Sequence, residues 1–321
     1  MHLIQVLLLG VTLALLRQLA PQATDPAEAE WTRLRDRISA RLAELEAKGQ
    51  KPTVEMLSRD LDEVDRLVRR HRLSRPDVAV AALFFKASLL DDRLDEDDLA
   101  LEAYDAIIRW KELDFYFVAE AFVSKAAILR KRWQDRELEA LIEAYAARED
   151  ADPQVRSYLE GSLRHARLKP GAPYPPFKAA LLSGKEISFT GKEGKITVVL
   201  FMAAVKPRSL DQLELLEIMS QSRRGSPLAV VAVSLDQDRD RLKEELEKRQ
   251  TTVPVVYDGR GWESPLAVTC GIQSVPSTYV IGRDGKILHV DVFGASLQAL
   301  TTEALQRAEP EVRDGPEKGG D

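Results

Sequence analysis

GIQSVPSTYVI, residues 271–281, is the stretch on which the reading of this chain turns. A glycine opens it, a proline stands in its middle, and Ser277–Ile281 is a run of strand-forming residues. Proline has no N–H and a fixed φ, so a proline at this place marks the turn at which a strand begins. Downstream, Arg283-Asp-Gly-Lys286 separates that run from a second, Ile287–Val292. Asp-Gly suits the positive φ of a hairpin turn, so the two runs are read as paired strands. Upstream, Ile196–Met202, Leu228–Val233 and Val253–Tyr257 predict three more strands. Helical spacing appears at Leu210–Ser220, Arg239–Arg249, Ser264–Val268 and Leu297–Arg307. Strands alternating with helices imply an α/β layer around a buried central sheet.

The first half of the chain has a different period. From about Glu28 to His165, apolar residues recur at intervals of three and four, as in Ile38, Leu42 and Leu45 and in Leu57, Leu61 and Val64. The pattern continues through Val80–Leu90, Leu99–Trp110, Phe117–Leu129 and Leu138–Tyr145. Breaks fall at Gly49–Pro52, at Ser74–Pro76 and near Gln134-Asp135, and no glycine lies between Gly49 and Gly161. Lys86-Ala-Ser-Leu-Leu90 is echoed by Lys125-Ala-Ala-Ile-Leu129, and Glu102-Ala-Tyr104 by Glu143-Ala-Tyr145. That offset of about 40 residues is the length of a helix hairpin in an α-solenoid. Two readings stay open: a loose tetratricopeptide-like array, or an irregular helical bundle. Stacked helix pairs commonly present a surface to another protein.

The expected architecture is therefore α + α/β. Residues 24–166 form an α-helical domain and 167–308 an α/β domain, joined by the proline-rich stretch Leu168–Phe177. Leu3–Leu16 is an apolar run of signal-peptide length, with small residues at Ala20 and Ala23 for cleavage, so 1–23 is read as a signal peptide or, failing cleavage, an N-terminal anchor. The protein is accordingly expected to be exported, periplasmic or extracytoplasmic, touching membrane only through that segment. Residues 309–321 are charged and rich in Gly and Pro, and are read as a disordered tail. A net charge of -6 argues against nucleic-acid binding, which needs a basic face to displace counterions. Four histidines share no ligand spacing, so neither a metal site nor a cofactor is expected. One cysteine, Cys270, excludes an internal disulfide.

Several segments together resemble the thioredoxin superfamily, in its exported TlpA/ResA-type and redoxin (AhpC/TSA-like) branch. They are Pro170–Phe177, similar to the family's lead-in, Leu182–Ser188, similar to its first hairpin, and Gly194–Phe201, similar to the strand that delivers the active site. Tyr257-Asp-Gly-Arg-Gly-Trp262 followed by Pro265-Leu-Ala267 is a further segment of this branch, and Gly271–Ile281 resembles the loop with the family's cis-proline. The resemblance covers Pro170 to Ala308. It implies a thioredoxin-like fold, a cis peptide at Val275-Pro276 in place of a simple turn, and a groove there for an extended peptide backbone.

The resemblance also implies thiol chemistry at a strand-to-helix turn. Two cysteines spaced by two residues would sit there, the first activated by the helix N-terminus and the second resolving the mixed disulfide. In this chain the turn reads Met202-Ala-Ala-Val-Lys-Pro-Arg-Ser209. One register puts Lys206 and Ser209 in the cysteine positions and another puts Val205 and Arg208 there; neither holds a sulfur. The family's assisting acid would fall on Gln212 or on Asp211. Lys206, Arg208 and Ser209 at a helix start could bind an anion, but a solvated charged turn explains the same residues. Cys270 is read as a buried structural thiol, with intermolecular pairing open to it if exposed. The expectation is a protein- or peptide-binding module that has lost its dithiol; the alternative is a thiol-disulfide oxidoreductase or thiol peroxidase acting through Cys270.

Overall fold

A computed structural model describes residues 25–223 and 225–307. The expected signal segment and tail lie outside the described residues. The chain divides into two compact units, Met1–Leu163 and Arg164–Asp321.

The first unit is a succession of helices. α1 (Pro26–Ala47) begins where the Asp25 side chain accepts the N–H groups of Ala27 and Glu28, and α2 (Val54–His71) where Thr53 accepts that of Met56. There follow α3 (Pro76–Asp92), α4 (Asp97–Ile108), α5 (Phe115–Lys131) and α6 (Asp135–Ala146), and the unit boundary falls within α7 (Pro153–Arg167). Each helix from α1 to α5 packs on the next, and α3 also touches α1 and α5. The stripe Ala27, Trp31, Leu34, Ile38 and Leu42 of α1 is buried, as its spacing of three and four requires. The echo in the sequence has a counterpart in the fold. α3 and α5 are both 17 residues long, and α4 and α6 both 12. Lys86 of α3 pairs with Asp65 of α2 at 2.7 Å, and Lys125 of α5 pairs with Asp105 of α4 at 2.5 Å. The two echoed lysines thus make the same cross-helix contact in successive hairpins.

The second unit is built on a five-stranded sheet of order β5-β4-β3-β6-β7. Its strands are β3 (Ile196–Met202), β4 (Leu228–Ser234), β5 (Val255–Val256), β6 (Ser277–Ile281) and β7 (Ile287–Val290), preceded by the hairpin β1 (Phe177–Ala180) and β2 (Glu186–Phe189). β4 runs parallel to β3 and β5 to β4, whereas β6 is antiparallel to β3 and β7 to β6. All seven residues of β3 are buried, because side chains alternate between two covered faces. Val198, Leu200 and Met202 pack with α8 (Pro207–Ser222), α9 (Arg239–Lys248) and α11 (Gly294–Arg307). Val199 and Phe201 pack on the other face with Tyr174, Phe189 and the short α10 (Pro265–Thr269).

The stretch before β1 is more than a linker. Gly171 and Tyr174 donate to the carbonyls of Ile287 and Gly285, and Ile287 donates to that of Ala172, so the segment extends the sheet beyond β7. It continues under the sheet to the opposite edge, where Leu182 donates to Val255 and Tyr257 to Ala180. One segment therefore covers both edges. Just after β2 the chain passes the β6–β7 turn: a Cβ on Gly285 would stand 2.7 Å from the Cα and carbonyl oxygen of Gly191, and φ at Gly285 is +77°. Gly285→Ala is expected to destabilise the second unit by about 2–3 kcal/mol. A lowered urea midpoint would show it; an unchanged midpoint would contradict the close approach.

Glu217 ties α8 to the segment entering β5. Its carboxylate accepts the Thr252 N–H and hydroxyl (both 2.6 Å), the Thr251 hydroxyl (2.8 Å), the Val253 N–H (3.1 Å) and the Gln221 amide (2.6 Å). Burial opposes the charge, but these donors outweigh it and hold the carboxyl at about 2. A carboxyl depressed in this way contributes stability above its unfolded value of 4.5 and loses it as pH falls through about 2. Glu217→Gln is expected to cost roughly 1–2 kcal/mol at pH 7, with the gap narrowing toward pH 3. Urea unfolding at both pH values checks this, and an equal gap at both would contradict it.

Candidate functional site

β3 is buried to its last residue, Met202, and delivers the turn Ala203–Lys206 at its C-terminal end. Pro207 then starts α8, a position where a missing N–H costs nothing. Lys206 is the N-cap, with extended φ and ψ and no side-chain capping bond. The turn is tight: Lys206 donates to the Ala203 carbonyl at 3.0 Å and Ser209 to the Lys206 carbonyl at 2.9 Å. Val205, Lys206, Pro207 and Arg208 are exposed. Ser209 is not. It is wholly buried, and its Oγ accepts the Ala203 N–H at 3.4 Å. The solvated charged turn expected here is therefore corrected at Ser209, which faces inward because the first turn of α8 rolls it under the chain.

The residue that fixes this turn was not among those singled out in the sequence. Asp236, 8% exposed, follows β4, the parallel neighbour of β3, so the two strand ends lie side by side. Its carboxylate takes the Ala204 N–H with both oxygens, at 3.0 and 2.9 Å, and accepts the Ser234 hydroxyl at 2.8 Å. Ser234 Oγ in turn accepts the Asp236 N–H at 3.1 Å. The two residues proposed for an assisting acid lie elsewhere: Asp211 is exposed, and Gln212 uses its carbonyl oxygen to accept the N–H of Gly294 at the start of α11.

Val275-Pro276 is a cis peptide. Phe201 of β3 stands opposite Ser277 of β6, so Pro276 lies beside the last residues of β3 and the start of the turn. The C-terminal ends of β3, β4, β5 and β7 and the N-terminal end of β6 all point the same way. The segments at 203–208, 235–238, 257–263, 274–276 and 291–294 therefore share one end of the sheet, the place where open α/β sheets bind ligands. Val205 and Phe293, 46% and 36% exposed, give this end apolar surface.

Cys270 lies on the opposite face of the sheet from the core beneath the turn. It closes α10 on the face of the sheet carrying Tyr174, Phe201 and Tyr279, whereas Ala204 and Leu210 of the turn pack on the other face. Its exposure is 0%. Burial pushes the thiol up to about 12, against a smaller opposing effect of its hydrogen bond to the Tyr174 hydroxyl at 3.5 Å. The intermolecular disulfide left open in the sequence is closed by this burial. Among the described residues no group of His, Cys, Asp and Glu is arranged to hold a metal ion, and no helix is long and apolar enough to cross a membrane.

No curated protein matches the chain. Among solved structures, it is similar to a thiol-disulfide oxidoreductase from Bacteroides fragilis NCTC 9343, at 22% identity over 42% of this chain and 98% of that one, with a TM-score of 0.38. A thiol:disulfide interchange protein of the thioredoxin family from Chlorobium tepidum TLS matches at 20% identity over 43% of this chain and 97% of that one, TM-score 0.37. A thiol:disulfide interchange protein from Bacteroides sp. matches at 19% identity over 44% of this chain and 92% of that one, TM-score 0.39. The AhpC/TSA family model matches residues 170–290, and the C-terminal unit of this chain is a thioredoxin-like domain of the redoxin type.

Proposed function

We propose that this protein is an exported binding or assembly module whose thioredoxin-like domain has lost dithiol chemistry. One observation carries the reading. The head of α8 offers Val205, Lys206 and Arg208 to solvent and Ser209 to the interior, with no sulfur at any of them, while the sole thiol is fully buried on the other face of the sheet. Thiol-disulfide exchange needs an accessible thiolate and a second thiol to release the product. Cys270 is inaccessible, is held protonated at neutral pH with its thiol near 12, and has no cysteine to partner it. The ligand is a polypeptide. The helical hairpins or the groove beside Val275-Pro276, flanked by Val205 and Phe293, would receive it. Export is inferred from the apolar run Leu3–Leu16.

The second reading, a thiol-disulfide oxidoreductase or peroxidase acting through Cys270, is favoured by the AhpC/TSA match. Turnover separates the two. Disulfide reduction and peroxide consumption by the purified protein are expected to stay at the buffer rate, with Cys270→Ser indistinguishable from wild type.

A further inference from the structure

We propose that His165 and Asp291 form a proton-sensitive clasp on the segment that follows Pro276, so that protonation of His165 moves Ser277 and Thr278 at the functional end of the sheet. Asp291 follows β7 in a left-handed conformation, φ +51°, which non-glycine residues adopt only where the surroundings demand it. Here the demand comes from Thr278. The Asp291 N–H donates to the Thr278 carbonyl at 2.8 Å, and its Oδ1 accepts the Thr278 N–H at 3.2 Å and the Ser277 hydroxyl at 2.7 Å. One residue thus holds both sides of the backbone two positions beyond the cis-proline.

The other carboxylate oxygen, Oδ2, faces His165 Nε2 across 3.6 Å. The His165 side chain is 7% exposed, and its Nδ1 lies 3.1 Å from the hydroxyl of Tyr279, itself fully buried in the middle of β6. A charge-assisted N–H···O⁻ bond closes to about 2.7–2.9 Å, so the gap to Asp291 leaves room for contraction. Histidine changes charge within the physiological range, and on protonation both ring nitrogens become donors. Tyr279 is pinned between β3 and β7, whereas Asp291 is on a turn with a side chain 45% exposed. The part free to move is Asp291, and it carries Ser277 and Thr278 with it.

Among the titratable groups near the imidazole are Tyr279 from β6, Asp291 after β7 and, behind Tyr279, Tyr174 of the lead-in, whose ring meets that of Tyr279 at 5.2 Å. Cys270 bonds to Tyr174, and Arg164 and Arg167 flank His165 on α7. The coupling stands whatever this end of the sheet binds.

The test is an NMR titration of the intact protein from pH 5 to 8, following the His165 ring and the Thr278 amide, with His71 of the helical unit as control. The Thr278 amide is expected to shift with the midpoint of the His165 ring and not with that of His71. In Asp291→Asn the His165 midpoint is expected to fall by about half a pH unit or more, and the Thr278 amide to stop following it. Should that variant not fold, the wild-type titration decides alone. A Thr278 amide that ignores His165, a His165 ring that keeps one charge state throughout, or a midpoint unmoved by Asp291→Asn each overturns the clasp.

Discussion

A cysteine pair placed at positions 206 and 209 is expected to make this protein a disulfide reductase. Position 206 is the exposed N-cap of a 16-residue helix whose first turn contains no acidic residue. A thiolate there meets the positive end of the helix dipole and the neighbouring Arg208, both of which favour negative charge. Position 209 lies one turn on and faces inward, its N–H bonded to the carbonyl of residue 206 at 2.9 Å. A thiol at 206 would attack a substrate disulfide, form a mixed disulfide and expel one substrate thiolate. The thiol at 209 would then attack the mixed disulfide, releasing the second substrate thiol and leaving a 206–209 disulfide. Lys206→Cys/Ser209→Cys is expected to reduce insulin disulfides roughly tenfold or more faster than wild type, with dithiothreitol regenerating the pair. Val205→Cys/Arg208→Cys, with both positions exposed and neither sulfur shielded, is expected to gain much less. A 206/209 pair that fails to oxidise, or a 205/208 pair that outpaces it, would assign the turn differently.

Asp236→Ala is expected to be the most damaging single substitution near the turn. It leaves the Ala204 N–H and the Ser234 hydroxyl without their acceptor in a place shielded from water. Losing a charged acceptor from two buried donors costs about 2–4 kcal/mol. Asp236→Asn keeps one acceptor oxygen and is expected to cost about half as much. Urea unfolding measures both, and hydrogen exchange at the Ala204 amide gives the local view, with exchange faster in the Ala variant. A cost within about 0.5 kcal/mol for Asp236→Ala would mean that Asp236 does not hold the turn.

How far these features could be read in the sequence depends on how local their causes are. β3 and β6 fall on Ile196–Met202 and Ser277–Ile281 as the apolar runs predict, since a strand buried on both faces leaves an unbroken run. β7 stops at Val290, short of the expected Val292, because Asp291 turns left-handed to reach Thr278. β5 shrinks to Val255–Val256, its approach occupied by Glu217 of α8. Both shortenings come from partners far along the chain. The same holds for Leu168–Phe177, where four prolines read as a linker and the pairing to β7 is invisible without the fold. At the turn, the absence of sulfur was legible at once. The inward face of Ser209 was not, because Lys-Pro-Arg-Ser has the composition of a solvated loop. Nor was Asp236: an aspartate after a strand is ordinary, and only the parallel pairing of β3 and β4 brings it to Ala204.

The central claim is that no thiol in this protein turns over. Its most direct test is a side-by-side assay of wild type and Cys270→Ser for insulin disulfide reduction with dithiothreitol and for peroxide consumption. Rates equal to buffer in both proteins are the predicted result. Turnover by wild type that disappears in Cys270→Ser would contradict the claim and return the protein to thiol catalysis.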